Sequence, residues 1–162
     1  MSGQLSGFDF RPARSGDGEA LFQITHRSIS ALGASHYPPE VLKGWMGQRS
    51  PAYYENEVLS GTITVAVRND EAVGFVDAVP GEIVRLFLLP DCAGIGLGKA
   101  LLTIGLQRSR QDSGDPVRVE ATLNAESFYA RHGFRRVGLG KFALQLGGTP
   151  IDIVHMELPQ LE

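Results

Sequence analysis

The eight residues Cys92-Ala93-Gly94-Ile95-Gly96-Leu97-Gly98-Lys99 stand between an apolar run and a helical pattern. A glycine-rich junction of this kind offers unpaired backbone N–H groups and the positive end of a helix to an anion, so a phosphate cradle is expected, with a ligand-free tight turn as the alternative. A P-loop is disfavoured: Ala93 stands where its first glycine belongs, and Ala100 follows the lysine where a magnesium-binding hydroxyl is needed. A dinucleotide fingerprint is disfavoured too, because Gly94, Gly96 and Gly98 are spaced by two and lie past mid-chain. Cys92 adjoins the turn without a neighbouring histidine to activate it, which favours a packed or loop thiol over a nucleophile. His26, His36, His132 and His155 show no ligand spacing such as H-E-x-x-H, and one cysteine cannot complete a finger-type zinc site, so no metal is expected. His36, Tyr37, Trp45, Tyr53 and Tyr54 fall in a bend-rich stretch, where aromatic residues serve either as a pocket wall or as core.

These groups need strands and helices to position them. Phe8 to Arg11 reads as a strand, and Asp17 as the N-cap of a helix whose Leu21, Ile24, Ser28 and Leu32 share a face. Pro38, Pro39 and Pro51 divide the following stretch into short helices forming a lid or pocket wall. Thr62 to Val67 and AVGFVDAV form a hairpin through Asn69-Asp70. EIVRLFLLP is nearly continuous in apolar residues, so a central strand buried on both faces is expected, stopped by Pro90. A helix from about Gly98 to Gln111 follows, its end marked by Ser113-Gly114, and then a strand at Val117, Val119 and Ala121. Asn124 is placed to cap a short helix through Arg131 that Gly133 ends, and FRRVGLG and PIDIVHMEL close the chain as strands.

Composition sets the bounds. The chain has 162 residues, 43% apolar and 20% charged, which suits one globular domain of mixed α/β class over residues 8–162 behind a short tail at 1–7. Fifteen Lys and Arg against eighteen Asp and Glu give a net charge of −3, without the basic excess that nucleic acid requires. No apolar run suggests a signal peptide or a membrane span, and the single cysteine allows no internal disulfide, so a cytoplasmic protein is expected.

With the elements in place, LFLLPDCAGIGLGKALL resembles the central motif of the GNAT family of N-acetyltransferases. That motif is a strand ending in L-x-V-x-P, a Q/R-x-x-G-x-G/A turn and a helix opening with an apolar pair. The matches are Leu86, Leu88, Pro90, Gly96, Gly98, Leu101 and Leu102; Ala93 departs from it, standing where Gln or Arg is usual. VEATLNAESFYARHGFRRVG is similar to the family's N-A-x-x-F-Y-x-x-x-G-F segment at Asn124, Ala125, Phe128, Tyr129, Gly133 and Phe134, and NDEAVGF resembles the hairpin entering the central strand.

The resemblance implies a mostly antiparallel seven-stranded mixed sheet with a splayed central strand pair and about four flanking helices. It implies acetyl-CoA as cosubstrate, direct transfer to an amine, and no metal. By carry-over, Leu86 and Leu88 lie along pantetheine, with the Leu88 N–H near the thioester oxygen, and Gly94, Ile95, Gly96, Leu97, Gly98 and Lys99 bind pyrophosphate. Asn124 looks like a pantetheine contact, and Tyr129 like the general acid that protonates the departing thiolate; without the motif, Tyr129 would read as a core aromatic. Glu82, eleven positions before Ala93, has the spacing of the catalytic carboxylate in histone-acetylating members. Glu120 and a water chain are the alternative bases, because an alkylammonium with pKa near about 10.4 must lose a proton before attack. Tyr37, Trp45 and Glu120 are the expected acceptor contacts. The expected activity is acetyl transfer to a primary amine of a small molecule or protein, with a non-catalytic acyl-CoA sensor as the alternative and retention of Tyr129 favouring the enzyme. No nucleic acid or membrane partner is expected, and the chain's edges leave a homodimer open.

Overall fold

The computed structural model describes residues 7–47, 49–110, 116–142 and 149–159. In chain order the elements are β1 (Phe8–Pro12), α1 (Gly18–Leu32), α2 (Pro39–Gly44), α3 (Pro51–Glu57), β2 (Ile63–Arg68), β3 (Glu71–Val79), β4 (Glu82–Leu88), α4 (Leu97–Ser109), β5 (Val117–Thr122), α5 (Glu126–Arg131), β6 (Arg135–Phe142) and β7 (Ile151–Leu158). The strands form one seven-stranded sheet in the order β1-β2-β3-β4-β5-β7-β6, with every neighbouring pair antiparallel except β4–β5. This is the expected mixed sheet. The described residues form five α-helices rather than about four, since the proline-punctuated stretch yields both α2 and α3. Gln111 and the Ser113-Gly114 stop lie outside the described residues, as does the tail up to residue 6.

Each face of the sheet carries its own core. On one, Leu97, Leu101 and Leu102 of α4 and Tyr129 of α5 pack over Val76, Ile83, Val119 and Met156. On the other, Leu21 and Ile24 of α1 join Tyr37, Trp45 and Tyr54 over Val65, Phe75 and Ile153. The β2–β3 hairpin turns through Asn69 and Asp70 at φ 53° and 65°, the left-handed pair that a two-residue primed turn requires.

Three local expectations change. Asp17 takes the N-cap position of α1 as expected, but its side chain does not cap the helix; its carboxylate accepts from Arg11 at 2.8 and 2.9 Å and from the Arg14 N–H at 2.8 Å. The α1 end is served by Glu55 of α3, which accepts from the Gly16 and Gly18 N–H groups at 2.8 Å each and so ties α3 to α1. Asn124 lies inside a 3-10 turn, and the N-cap of α5 is Ala125. The third change concerns β4, which is central but not buried on both faces: Ile83 is buried, whereas Leu86 to Leu88 are half-buried and Val84 is 38% exposed. The cause is the sheet itself. β5 pairs with β4 only at Glu82–Arg118 and Ile83–Val119, and a register slip against β3 between Asp77 and Ala78 bulges Val84 out of the ladder. Beyond that point the apolar run is the wall of a cleft.

No helix among the described residues is long and apolar enough to cross a membrane.

Candidate active site

Where β4 and β5 part, the β5-facing backbone of residues 84–88 has no ladder partner in β5. Buried N–H and C=O groups need partners, so this edge can receive an extended ligand as an added strand. Two cavities flank the split and share Leu86, Phe87, Thr122, Ala125 and Tyr129.

The larger cavity, about 550 Å³, runs from Leu86 and Leu88 past Ala93, Gly94, Gly96, Gly98 and Lys99 to Asn124, Phe128, Arg131 and His132. Its glycine turn is built for close approach. Gly94 and Gly96 take φ 78° and 93°, and a Cβ at Gly94 would meet no atom within 4 Å, leaving the backbone open on that side. Gly98 has another reason to be glycine: a Cβ there would stand 3.1 Å from the Phe128 ring. The α4 N-terminus begins inside this turn, and the nearby cations Lys99 and Arg131 add positive charge. Asn124 Oδ1 is buried and has no hydrogen-bond partner among the described residues, an acceptor left for a ligand N–H. These features fit the pantetheine amides and pyrophosphate of coenzyme A.

The smaller cavity, about 220 Å³, lies on the α1–α3 side of the sheet. Thr25 of α1, Trp45, Arg49, and Tyr53, Tyr54 and Glu57 of α3 face Arg85 of β4, Glu120 of β5 and Ile151 and Ile153 of β7 across it. Arg85 is fixed by bonds to Glu57, to Asp77 at 3.1 Å and to the Tyr53 hydroxyl at 3.4 Å. Burial works against its charge, but the bonds to Glu57 and Tyr53 and the charge of Asp77 outweigh it and hold the guanidinium above its ordinary range. Arg49 lies 4.5 Å over the Trp45 ring and donates to the Trp45 carbonyl at 3.3 Å. The Trp45 Nε1–H is buried and finds no hydrogen-bond partner among the described residues.

Tyr129 stands at the junction, 4% exposed, with edge-on contacts to Phe128 at 5.1 Å and Phe134 at 5.3 Å between ring centroids. Burial pushes its phenol up, so it holds its proton at neutral pH. Glu82 lies at the closed end of the split and lines neither cavity. Burial and then the neighbouring Glu120 raise its pKa, against the lowering effect of Arg118. Cys92 is fully buried in the core, and burial raises its thiol, which suits the packed reading.

Of the residues expected at the cofactor, Leu86, Leu88, Gly94, Gly96, Gly98, Lys99, Asn124 and Tyr129 line the larger cavity; Ile95 and Leu97 do not, and the Leu97 side chain belongs to the core. Of the expected acceptor contacts, Trp45 and Glu120 line the smaller cavity. Tyr37 instead is a strut: its hydroxyl accepts from the Leu123 N–H at 2.8 Å and donates to the Asp152 carbonyl at 2.6 Å. Sequence reasoning missed Thr25, Arg49, Glu57 and Arg85. Arg85 carried a usable signal, since a cation inside an apolar run must find a carboxylate partner or a cavity. His36, Tyr53 and Tyr54, raised as pocket residues, do line cavities, His36 at the larger.

Comparison with known proteins is consistent with this geometry. The acetyltransferase (GNAT) domain model matches residues 33–156. The N-acetyltransferase YafP of Escherichia coli K12, itself uncharacterised, is 26% identical over 133 residues, 82% of this chain and 85% of its own. A GCN5-related N-acetyltransferase from Rhodopseudomonas palustris superposes with a TM-score of 0.82 at 21% identity, over 96% of this chain and 97% of that one. PaiA N-acetyltransferase from Thermoplasma acidophilum, solved with coenzyme A, gives a TM-score of 0.73 at 19% identity, over 95% of this chain and 99% of its own. At these identities the solved structures speak to the fold alone, but the family match spans the split strands, the glycine turn and the Tyr129 helix, and by it the chain belongs to the GNAT acetyltransferase family.

Proposed function

We propose that this chain transfers the acetyl group of acetyl-CoA directly to the primary amine of a small molecule. The larger cavity holds the cosubstrate, the smaller one admits the amine, and the two meet at Tyr129. That meeting, in five shared residues at the split strand pair and the turn and helix after it, is the observation that carries the reading. A sensor of acyl-CoA needs the first cavity but not the second. A space of about 220 Å³ walled by Trp45, Tyr53 and Tyr54 favours a small amine over a protein chain.

In this scheme the glycine turn and the α4 N-terminus bind pyrophosphate, and Asn124 accepts from pantetheine. The Leu88 N–H polarises the thioester carbonyl. Glu120 replaces Glu82 as the base, because Glu120 lines the acceptor cavity and Glu82 does not. Tyr129, kept protonated by burial, donates to the departing sulfur. A cytoplasmic setting accompanies the proposal, supported by a lone buried thiol of the kind reducing compartments preserve.

The test is coenzyme A binding followed by thermal shift, with thiol release measured over a panel of small primary amines. Coenzyme A should raise the melting temperature of the wild type. Gly96→Asp, which puts a negative side chain where phosphate approaches, should abolish that rise; an undiminished rise in the folded variant defeats the phosphate assignment.

A further inference from the structure

A base on the wall of the acceptor cavity solves half of the proton problem. Glu120 takes a proton from the amine in each turnover and must pass it on before the next. The sheet sets an imidazole beside that carboxylate. Glu120 of β5 and His155 of β7 are direct cross-strand partners, so both side chains leave the same face, and His155 Nδ1 lies 3.9 Å from Glu120 Oε2. Both are partly exposed, with side chains 46% and 43% accessible, so rotation or one water closes the gap.

The ring has a seat on its other side. A Cβ at Gly140 of β6 would stand 2.5 Å from His155 Nε2, so the glycine is what lets the imidazole lie across the edge strand. Nδ1 thus faces the base, while Nε2 lies over β6, the outermost strand of the sheet.

β7 packs chiefly against β5, β6 and the turn Leu123–Ala125, and Arg49, Glu57 and Arg85 face Glu120 across the acceptor cavity. On the His155 face the register sets Arg118 and Glu120 from β5, Glu157 from β7 and Arg135 from β6, with Glu82 of β4 paired beside Arg118; the turn contributes no charge. The arginines are permanent cations and accept nothing. The imidazole of His155 can accept a proton at one ring nitrogen and donate one from the other, which is what a relay requires.

We propose that His155 is the proton outlet of the acceptor site: Glu120 takes the amine proton and passes it to Nδ1, the imidazolium releases its Nε2 proton to solvent, and the ring returns to the Nε2–H tautomer by proton exchange with water before the next turnover. This rests on Glu120 as the base. His155 acts through Glu120 and is a positioning and relay residue, not a catalytic one.

The experiment compares His155→Gln and Glu120→Gln with wild type in acetyl-CoA thiol release, with benzylamine as the acceptor probe and, where benzylamine gives no rate above blank, with water as the acceptor. His155→Gln should lower kcat about tenfold at pH 7 with the KM for acetyl-CoA and the melting temperature unchanged. Imidazole added to the buffer should restore the rate. Wild-type kcat in His155→Gln, or a loss that free imidazole does not rescue, overturns the outlet. If Glu120→Gln keeps wild-type activity, the base assignment fails and the outlet with it. A dead Glu120→Gln beside an unaffected His155→Gln refutes the outlet alone.

Discussion

Removing the hydroxyl of Tyr129 separates its two roles, because the ring and the oxygen do different work. The ring packs edge-on between Phe128 and Phe134, and phenylalanine at 129 keeps both contacts, each pair worth about 0.5–1.5 kcal/mol. Tyr129 lines both cavities, and burial keeps its hydroxyl protonated. As a general acid it supplies about 10²-fold or more, so Tyr129→Phe should lower kcat by at least that factor, about 2.7 kcal/mol of transition-state stabilisation. The KM for acetyl-CoA should change less than about twofold, because the cradle at Gly94 to Lys99 is untouched. A hydroxyl that only anchored the ring would cost about 1 kcal/mol of stability, or roughly 2–4 °C in melting temperature at this chain length, with turnover intact. Initial rates of thiol release and melting curves with and without coenzyme A distinguish the outcomes. Wild-type kcat together with a lowered melting temperature would refute the general-acid role.

Two further substitutions or titrations probe the scaffold. Tyr37→Phe leaves the Leu123 N–H and Asp152 carbonyl without their shared partner and should cost about 1 kcal/mol or more, seen as a drop of roughly 2–4 °C; an unchanged melting temperature with a raised acceptor KM would return Tyr37 to the acceptor site. Burial raises the phenols of Tyr37, Tyr54 and Tyr129 above their ordinary value near about 10, so between that pH and their folded values the native state holds more protons than the unfolded chain. Their contribution to stability is therefore complete below about pH 10 and is lost as pH rises through the folded values. Tyrosinate absorbance from them should appear together with loss of circular dichroism, and three phenols titrating near pH 10 in an intact fold would contradict this.

Local chemistry explains which parts of the fold could be read in advance. The Asn69-Asp70 turn, the alternation in β5 and the glycines around α4 each demand one backbone shape whatever surrounds them, and those elements fall where expected. Asp17 and Asn124 are good cap residues locally, but Arg11 and Arg14 claim the first, and a 3-10 turn takes the second out of capping position. The continuous apolarity of EIVRLFLLP has two physical solutions, burial between two neighbours or the wall of a split. Sequence period does not distinguish them, because the choice depends on β5 leaving β4 after Ile83.

The same asymmetry divides the two cavities. The cofactor side is built largely from one contiguous segment, in which glycine spacing and a helix start dictate a main-chain cradle, and there eight of the ten residues named in advance line the cavity. The acceptor side gathers single residues from α1, α3, β4, β5 and β7, each with an ordinary structural role available to it. Arg85 shows what could have been read: buried in an apolar strand, it required carboxylates, and Glu57 and Asp77 supply them from α3 and β3. That ion-pair cluster joins the aromatic stretch to the split strand, so the acceptor wall is set by the pairing demands of one cation. Substitution of Glu57 or Asp77 should therefore alter acceptor KM before it alters coenzyme A binding.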